Sequence, residues 1–132
     1  MAFTDVYNLT GKRALVTGAS SGLGDHFARA LAAQGAEVVL AARRLEKLET
    51  LAAEIEAAGG KAYPVAMDVT KADSVEAAFA EIAANLDGPC DIIVNNSGVG
   101  QASWFQETTE EEWQSIIDTN LTGVWRVAKA AT

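Results

Sequence analysis

The chain has 132 residues, 49% hydrophobic and 21% charged, and carries a net charge of −8 at pH 7. That length allows one domain hiding roughly two-thirds of its unfolded surface. The acidic balance argues against general binding to nucleic acid or to an anionic membrane, both of which need a basic field. A single cysteine, Cys90, excludes an intramolecular disulfide and fits a reducing cytoplasm.

No secretory apolar segment follows Met1, no apolar run approaches the ~20 residues of a membrane span, and there is no repeat or low-complexity tail. Strand-like apolar runs alternate with helical patterns. The first strand covers Lys12 to Thr17, and the turn Gly18-Ala19-Ser20-Ser21 follows it. A helix then runs from Gly22 to Gln34, with Phe27, Ala30 and Leu31 at helical spacing and Gly35 as its stop. The second strand is Glu37 to Ala42. Leu45, Leu48, Leu51, Ala52 and Ile55 trace one face of the next helix, which Gly59-Gly60 ends. Tyr63 to Met67 is a weaker third strand, and Pro64 inside it marks an edge position.

Thr70-Lys71-Ala72-Asp73 reads as a capping box ahead of an apolar stripe from Val75 to Leu86. Cys90 to Val94 is the fourth strand, with Cys90 read as a buried side chain. After a loop of small and polar residues, Thr109-Glu110-Glu111-Glu112 starts a last helix with a cap and acidic first-turn charge. Trp113, Ile116, Ile117, Leu121 and Val124 form its apolar face, and Asn120 falls on that same face. An unpaired buried amide costs about 1–3 kcal/mol, so a helix carbonyl, a water or a neighbouring strand must satisfy it.

This alternation implies an α/β fold, a Rossmann-like doubly wound parallel sheet of about four strands in the order 3-2-1-4. The chain reverses between strands 1 and 4, so a ligand crevice is expected at their carboxyl ends. The glycine turn and the Asn95 region both belong there. A glycine-rich turn between a strand and a helix is an anion site, because backbone N–H groups and the helix N-terminus converge on one point. The spacing Gly18, Gly22, Gly24 is neither G-x-G-x-x-G nor a P-loop. A tight structural turn is the bland alternative.

The end of strand 2 bears on the cofactor. An NAD site wants a carboxylate ~20 residues past the glycines to accept the ribose hydroxyls. That place holds Ala42, followed by Arg43 and Arg44. An arginine fork suits a 2′-phosphate, so NADP is favoured over NAD, with Arg43 the main contact. Two solvated arginines are the alternative. His26 reads as a solvated helix residue, Asp25 as pointing outward, and no His/Cys cluster has metal-ligand spacing.

Four motifs together resemble the short-chain dehydrogenase/reductase family, 3-oxoacyl-reductase-like members included. Thr17-Gly18 with Gly22-Leu23-Gly24 resembles its TGxxxGxG turn, and Asp68-Val69 its adenine-contacting acidic position. Asn95-Asn96-Ser97-Gly98 resembles its NNAG motif, with serine in place of alanine, and Asn120 matches the asparagine supporting its catalytic relay. The resemblance implies cofactor contacts from the turn (Gly18, Ser20, Ser21, Gly22, Leu23, Gly24), from Arg43 and Arg44, from Asp68 and Val69, and from Asn95, Ser97 and Gly98. For Asp68 a helix-flanking carboxylate or part of a turn, and for Asn120 a satisfied core amide, remain open beside those roles.

The family's chemistry also uses a serine and a Tyr-x-x-x-Lys pair. Tyr7 has Gly11 four residues on and Tyr63 has Met67, so neither fits, while Ser97 and Ser103 come too early for the serine. The resemblance therefore implies a single dinucleotide-binding domain, 1–132, ending before those groups and inactive alone. It would come from an oxidoreductase acting on a small carbonyl or alcohol, homo-oligomeric when complete. Ile92, Ile93 and Val94 would then lie on an open sheet edge. A non-catalytic nucleotide-binding or assembly module is the alternative, and a methyltransferase-like domain fits less well because its acidic residue is missing at Ala42-Arg43.

Overall fold

The computed structural model describes residues 6–132. The first five residues, part of the stretch read for a signal segment, lie outside the described residues. Four parallel strands form one sheet: β1 (Arg13–Thr17), β2 (Glu37–Ala42), β3 (Lys61–Ala66) and β4 (Ile92–Val94), in the spatial order β3-β2-β1-β4. Helices α1 (Gly22–Ala33), α2 (Leu45–Ala57) and α3 (Ala72–Asn85) connect them. After a short 3-10 turn at Phe105–Glu107 come α4 (Glu110–Ile117), a π-turn (Asp118–Thr122) and α5 (Gly123–Ala130). This is the doubly wound sheet and strand order expected.

Strand alternation divides the core into two layers. Ala14 and Val16 of β1, with Val38, Leu40 and Ala42 of β2, face α1 and α2. Leu15, Val39 and Ala41 face the other way, toward Val75, Ala78 and Ile82 of α3 and Val127 of α5. Parallel pairing places Leu15 opposite Val39 and Val16 opposite Leu40, so both layers are continuous across the sheet. β1 and β2 are therefore apolar at almost every position, as strands covered on both faces must be. β3 pairs only with β2, and its Pro64 stands opposite Leu40 on an edge that needs no second ladder.

Several expectations need correction. The buried positions of α1 are Gly24, Ala28 and Ala32, while Phe27 and Ala30 are exposed. Small side chains let α1 approach the sheet closely, and the larger Phe27 is left at the rim. β3 begins two residues earlier than Tyr63, and β4 starts at Ile92, leaving Cys90 half-buried before it. The capping box at Thr70 does not form. Lys71 is the N-cap of α3, which has no side-chain cap, and the Thr70 hydroxyl turns back to Asp68 at 2.7 Å. At Thr109, where a cap was expected, a full capping box forms, with Thr109 Oγ1 accepting from Glu112 N–H and Glu112 accepting from Thr109 N–H. The last helix is one pattern in the sequence but is broken by the π-turn, and Trp113 and Leu121 are exposed rather than buried.

Candidate functional site

The carboxyl ends of β1 and β4 are stitched together by side chains. Thr17 is buried, and its hydroxyl oxygen accepts from Asn96 N–H and Ser97 N–H, each at 3.0 Å. Asn96 Nδ2 donates back to the carbonyls of Thr17 (3.1 Å) and Gly18 (3.3 Å). Gly18 has φ +65°, and a Cβ there would lie 3.0 Å from Asn96 Nδ2 and 3.1 Å from Ser97 Cα. Glycine is thus required twice over at this position, by conformation and by space. A Cβ on Gly24 would come within 2.1 Å of the Gly18 carbonyl oxygen, so Gly24 lets α1 start directly against the turn.

Above this floor the turn leaves open space at Gly22. Gly22 has φ +57° and nothing within 4 Å of where a Cβ would stand. Ser21 is the N-cap of α1 but makes no side-chain cap bond. The first-turn N–H groups are therefore not satisfied by a side-chain cap, which is the condition for receiving an anion. Asp25 does not compete, because it points away to pair with Arg29.

A cleft of about 300 Å³ opens beside this turn. Gly18, Ser20 and Ser21 line one end, and Arg43 and Arg44 follow from the end of β2. Asp68, Val69 and Thr70 form the wall after β3, and Asn96, Ser97, Gly98, Val99 and Thr119 close it. Most sequence-predicted residues thus meet in one place. Gly22, Leu23, Gly24, Asn95 and Asn120 do not line the cleft. Leu23 is exposed on α1, and Gly22 and Gly24 shape the backbone.

Asn95 is exposed, and of the two asparagines after β4 it is Asn96 whose side chain ties this loop to the end of β1. Val99 and Thr119 were not singled out, Thr17 was named only as the start of the turn motif, and Thr70 only as a helix cap. The signal for Thr17 is a hydroxyl ending a buried strand where its oxygen must find donors.

Asp68 is held by its own loop. Its Oδ1 accepts from Thr70 N–H (3.0 Å) and Thr70 Oγ1 (2.7 Å), and Lys71 Nζ lies 4.0 Å from Oδ2. Burial pushes this carboxyl up, but the two Thr70 bonds with Lys71 and Arg43 outweigh it and hold Asp68 below the usual carboxylate range. It is an anion at neutral pH, with Oδ2 left to accept a hydrogen. The cationic groups Arg43, Arg44 and Lys71 gather at this mouth although the chain is acidic overall.

Asn120 sits in the π-turn, where Gly123 N–H bonds the carbonyl of Asp118 five residues back. It is exposed, not buried, and its partner is the backbone of the loop after β4, neither a helix carbonyl nor a strand. Its Oδ1 accepts from Val99 N–H and its Nδ2 donates to the Val99 carbonyl, both at 2.8 Å. The amide therefore fixes the loop after β4. A shallower groove of about 580 Å³ continues from Val99 past Gln101 along Glu112, Ser115 and Ile116 of α4. Among the described residues no cluster of His, Cys, Asp and Glu is arranged to hold a metal, and no helix is long and apolar enough to cross a membrane.

Relatives place this geometry. The nodulation protein G of Rhizobium sp. (strain N33) is 41% identical over 127 residues, 96% of this chain and 50% of that protein. A short-chain type dehydrogenase/reductase from Mycobacterium marinum superposes with a TM-score of 0.92 at 44% identity, covering 99% of this chain and 53% of the other. A gluconate 5-dehydrogenase from Burkholderia cenocepacia, solved with NADP and tartrate, superposes at 0.90 with 37% identity, covering 97% and 50%. The chain spans about half the length of the curated relatives it matches. Residues 12–132 match the family model for short chain dehydrogenases, and the chain belongs to that oxidoreductase family.

Proposed function

We propose that the cleft binds NADP, in preference to NAD, as the cofactor part of an oxidoreductase that moves hydride between nicotinamide and a small carbonyl or alcohol. The observation that carries this reading is the end of β2. Ala42, Arg43 and Arg44 line the cleft where a ribose-binding carboxylate would otherwise stand. Two guanidinium groups there offer charge-assisted hydrogen bonds to a 2′-phosphate. The solved relative with NADP supports the same choice.

The residues present fit a dinucleotide. The open turn at Gly22 and the first turn of α1 would take the pyrophosphate, Arg43 and Arg44 the 2′-phosphate, and Asp68 Oδ2 with the Val69 backbone the adenine. Ser97 and Gly98 would lie near the second ribose. When bound, the nicotinamide supplies or accepts the hydride. Asn120 acts on this end through Val99, whose backbone it holds at both N–H and carbonyl.

These 132 residues also bind without turning over. Neither tyrosine precedes a lysine at the spacing the chemistry uses. Tyr63 points away from the cleft to Glu81 at 3.2 Å, and burial with that carboxylate pushes its pKa up, the wrong direction for a proton donor working near neutrality.

The test is a titration of the chain with NADPH and with NADH. A preference of about 10-fold or more for NADPH, lost in Arg43→Ala, is the expected result, since a charged hydrogen bond is worth about 1.5–3 kcal/mol. Equal affinities, or an unchanged preference in Arg43→Ala, remove NADP. Ketone reduction by this chain alone would remove the binding-only reading.

A further inference from the structure

Arg126 lies one helix away from the cleft, and no motif in the sequence points to it. Its side chain is only 18% exposed, and its partners are a carbonyl and a carboxylate. Nη1 donates to the carbonyl of Val69 at 3.0 Å, and Nη2 pairs with Asp118 Oδ1 at 2.8 Å. Val69 is a cleft residue, next to Asp68. Gly123 leans on the same residue so closely that a Cβ there would stand 2.9 Å from Val69 Cγ2. One short stretch of helix therefore touches both cleft walls: Asn120 holds Val99 after β4, while Gly123 and Arg126 hold Val69 after β3.

The π-turn makes this possible. In an uninterrupted α-helix, positions eight apart differ by about 80° around the axis. The wider turn at Asp118–Thr122 advances less per residue, which brings Asp118 and Arg126 toward one face. We propose that Arg126, oriented by Asp118, is a positioning residue that sets the 68–71 wall of the cleft and with it the affinity for an adenine nucleotide. The affinity part rests on the nucleotide reading above, and the bracing part does not.

The experiment compares the 132-residue chain with Arg126→Met, Arg126→Lys and Asp118→Asn. Amide hydrogen exchange is followed at Thr70 and Lys71, whose N–H groups bond Asp68 Oδ1 and the Asp68 carbonyl. Met67, whose N–H bonds the Ala42 carbonyl in register with the sheet, is the control. Binding of adenosine 2′,5′-bisphosphate is measured alongside.

The expected result is exchange at Thr70 and Lys71 about 10-fold faster in Arg126→Met with Met67 unchanged, as for a local rather than a global opening. Arg126→Lys gives partial rescue, and Asp118→Asn, which leaves the Val69 bond, a smaller change. Affinity falls about 3- to 10-fold in Arg126→Met, as for loss of one to two hydrogen-bond equivalents acting indirectly. Unchanged exchange at Thr70 and Lys71, or an equal rise at Met67, overturns the bracing role. If the unaltered chain does not bind the bisphosphate, the nucleotide reading and the affinity claim fall together, and exchange still decides the brace.

Discussion

β2 and β4 carry nearly the same side chains and end up in different surroundings. Val38, Val39 and Leu40 of β2 are completely buried, while Ile92, Ile93 and Val94 of β4 are only half-buried. β2 has a strand on each side and helices on both faces, whereas β4 pairs only with β1. The same contrast continues outward. Trp113 and Trp125 are 55% and 59% exposed on the β4 side, while Leu48 of α2 is completely covered on the other. Apolar character sets what a residue gains from cover, and neighbours decide whether cover is there. Stability is therefore expected to concentrate in β1, β2 and their helices, with the β4 side contributing less per residue.

The largest expected effect is at the closed side. Leu40→Ala removes a fully buried side chain from the layer that faces α1 and α2 and should cost about 2–5 kcal/mol in urea unfolding. Ile93→Ala should cost less than half of that, and equal costs break the comparison. Gly24→Ala tests the floor shared by both sides. A methyl group 2.1 Å from the Gly18 carbonyl forces α1 off the turn, for an expected loss of about 1–3 kcal/mol together with weaker NADPH binding. Full stability with full binding would show that the turn is slack. Asn120→Ala leaves both Val99 backbone groups without their partner, but at an exposed place where water substitutes. It should cost less than about 1 kcal/mol in stability, and its larger effect should appear as faster exchange at Val99.

Trp113→Gln is the sharpest test of the open side, because an exposed side chain away from special features changes stability by no more than about 0.5 kcal/mol. A loss comparable to Leu40→Ala would mean that the tryptophan is covered in solution. The smallest effect is with pH. Asp68, Asp91 and Glu112 all have carboxyls held below their ordinary range. Desolvation opposes the shift at Asp68, while backbone hydrogen bonds lead it at Asp91 and Glu112. Their folded values are depressed, so they stabilise the fold fully above the unfolded carboxylate range and lose that contribution as pH falls through the folded values. Stability should be flat from neutrality to about pH 5 and decline below about pH 4. Asp68→Asn should flatten part of that decline.

Much of the cleft could be read along the chain. Gly18 and Gly22 are needed for φ, and local conformation announces itself through glycine. Arg43, Arg44 and Asp68 follow strand ends, and strand ends in a parallel sheet all reach the same edge. Asn96 against Asn95 was harder, because a loop leaving a three-residue strand does not preserve alternation. Phe27 was misplaced because an alanine-rich helix has more than one face of acceptable apolarity, and close packing selects the smaller one. Thr70 offered two bonds, to the helix or to Asp68, and the loop geometry chose the second. Nothing local marks the π-turn or Arg126, since their partners lie 21 and 57 residues away in the chain.

By itself the sequence determined the strand–helix alternation, the strand order with its crevice, the open glycine turn and the charges offered around it. Those follow from periodicity, backbone freedom and residue chemistry, all expressed within a few neighbours. Only the tertiary structure decided which asparagine faces inward, how deeply β4 is covered, and that one broken helix braces both walls of the cleft. Those outcomes depend on contacts between segments far apart in the chain, where packing and hydrogen-bond satisfaction choose among local options of nearly equal energy.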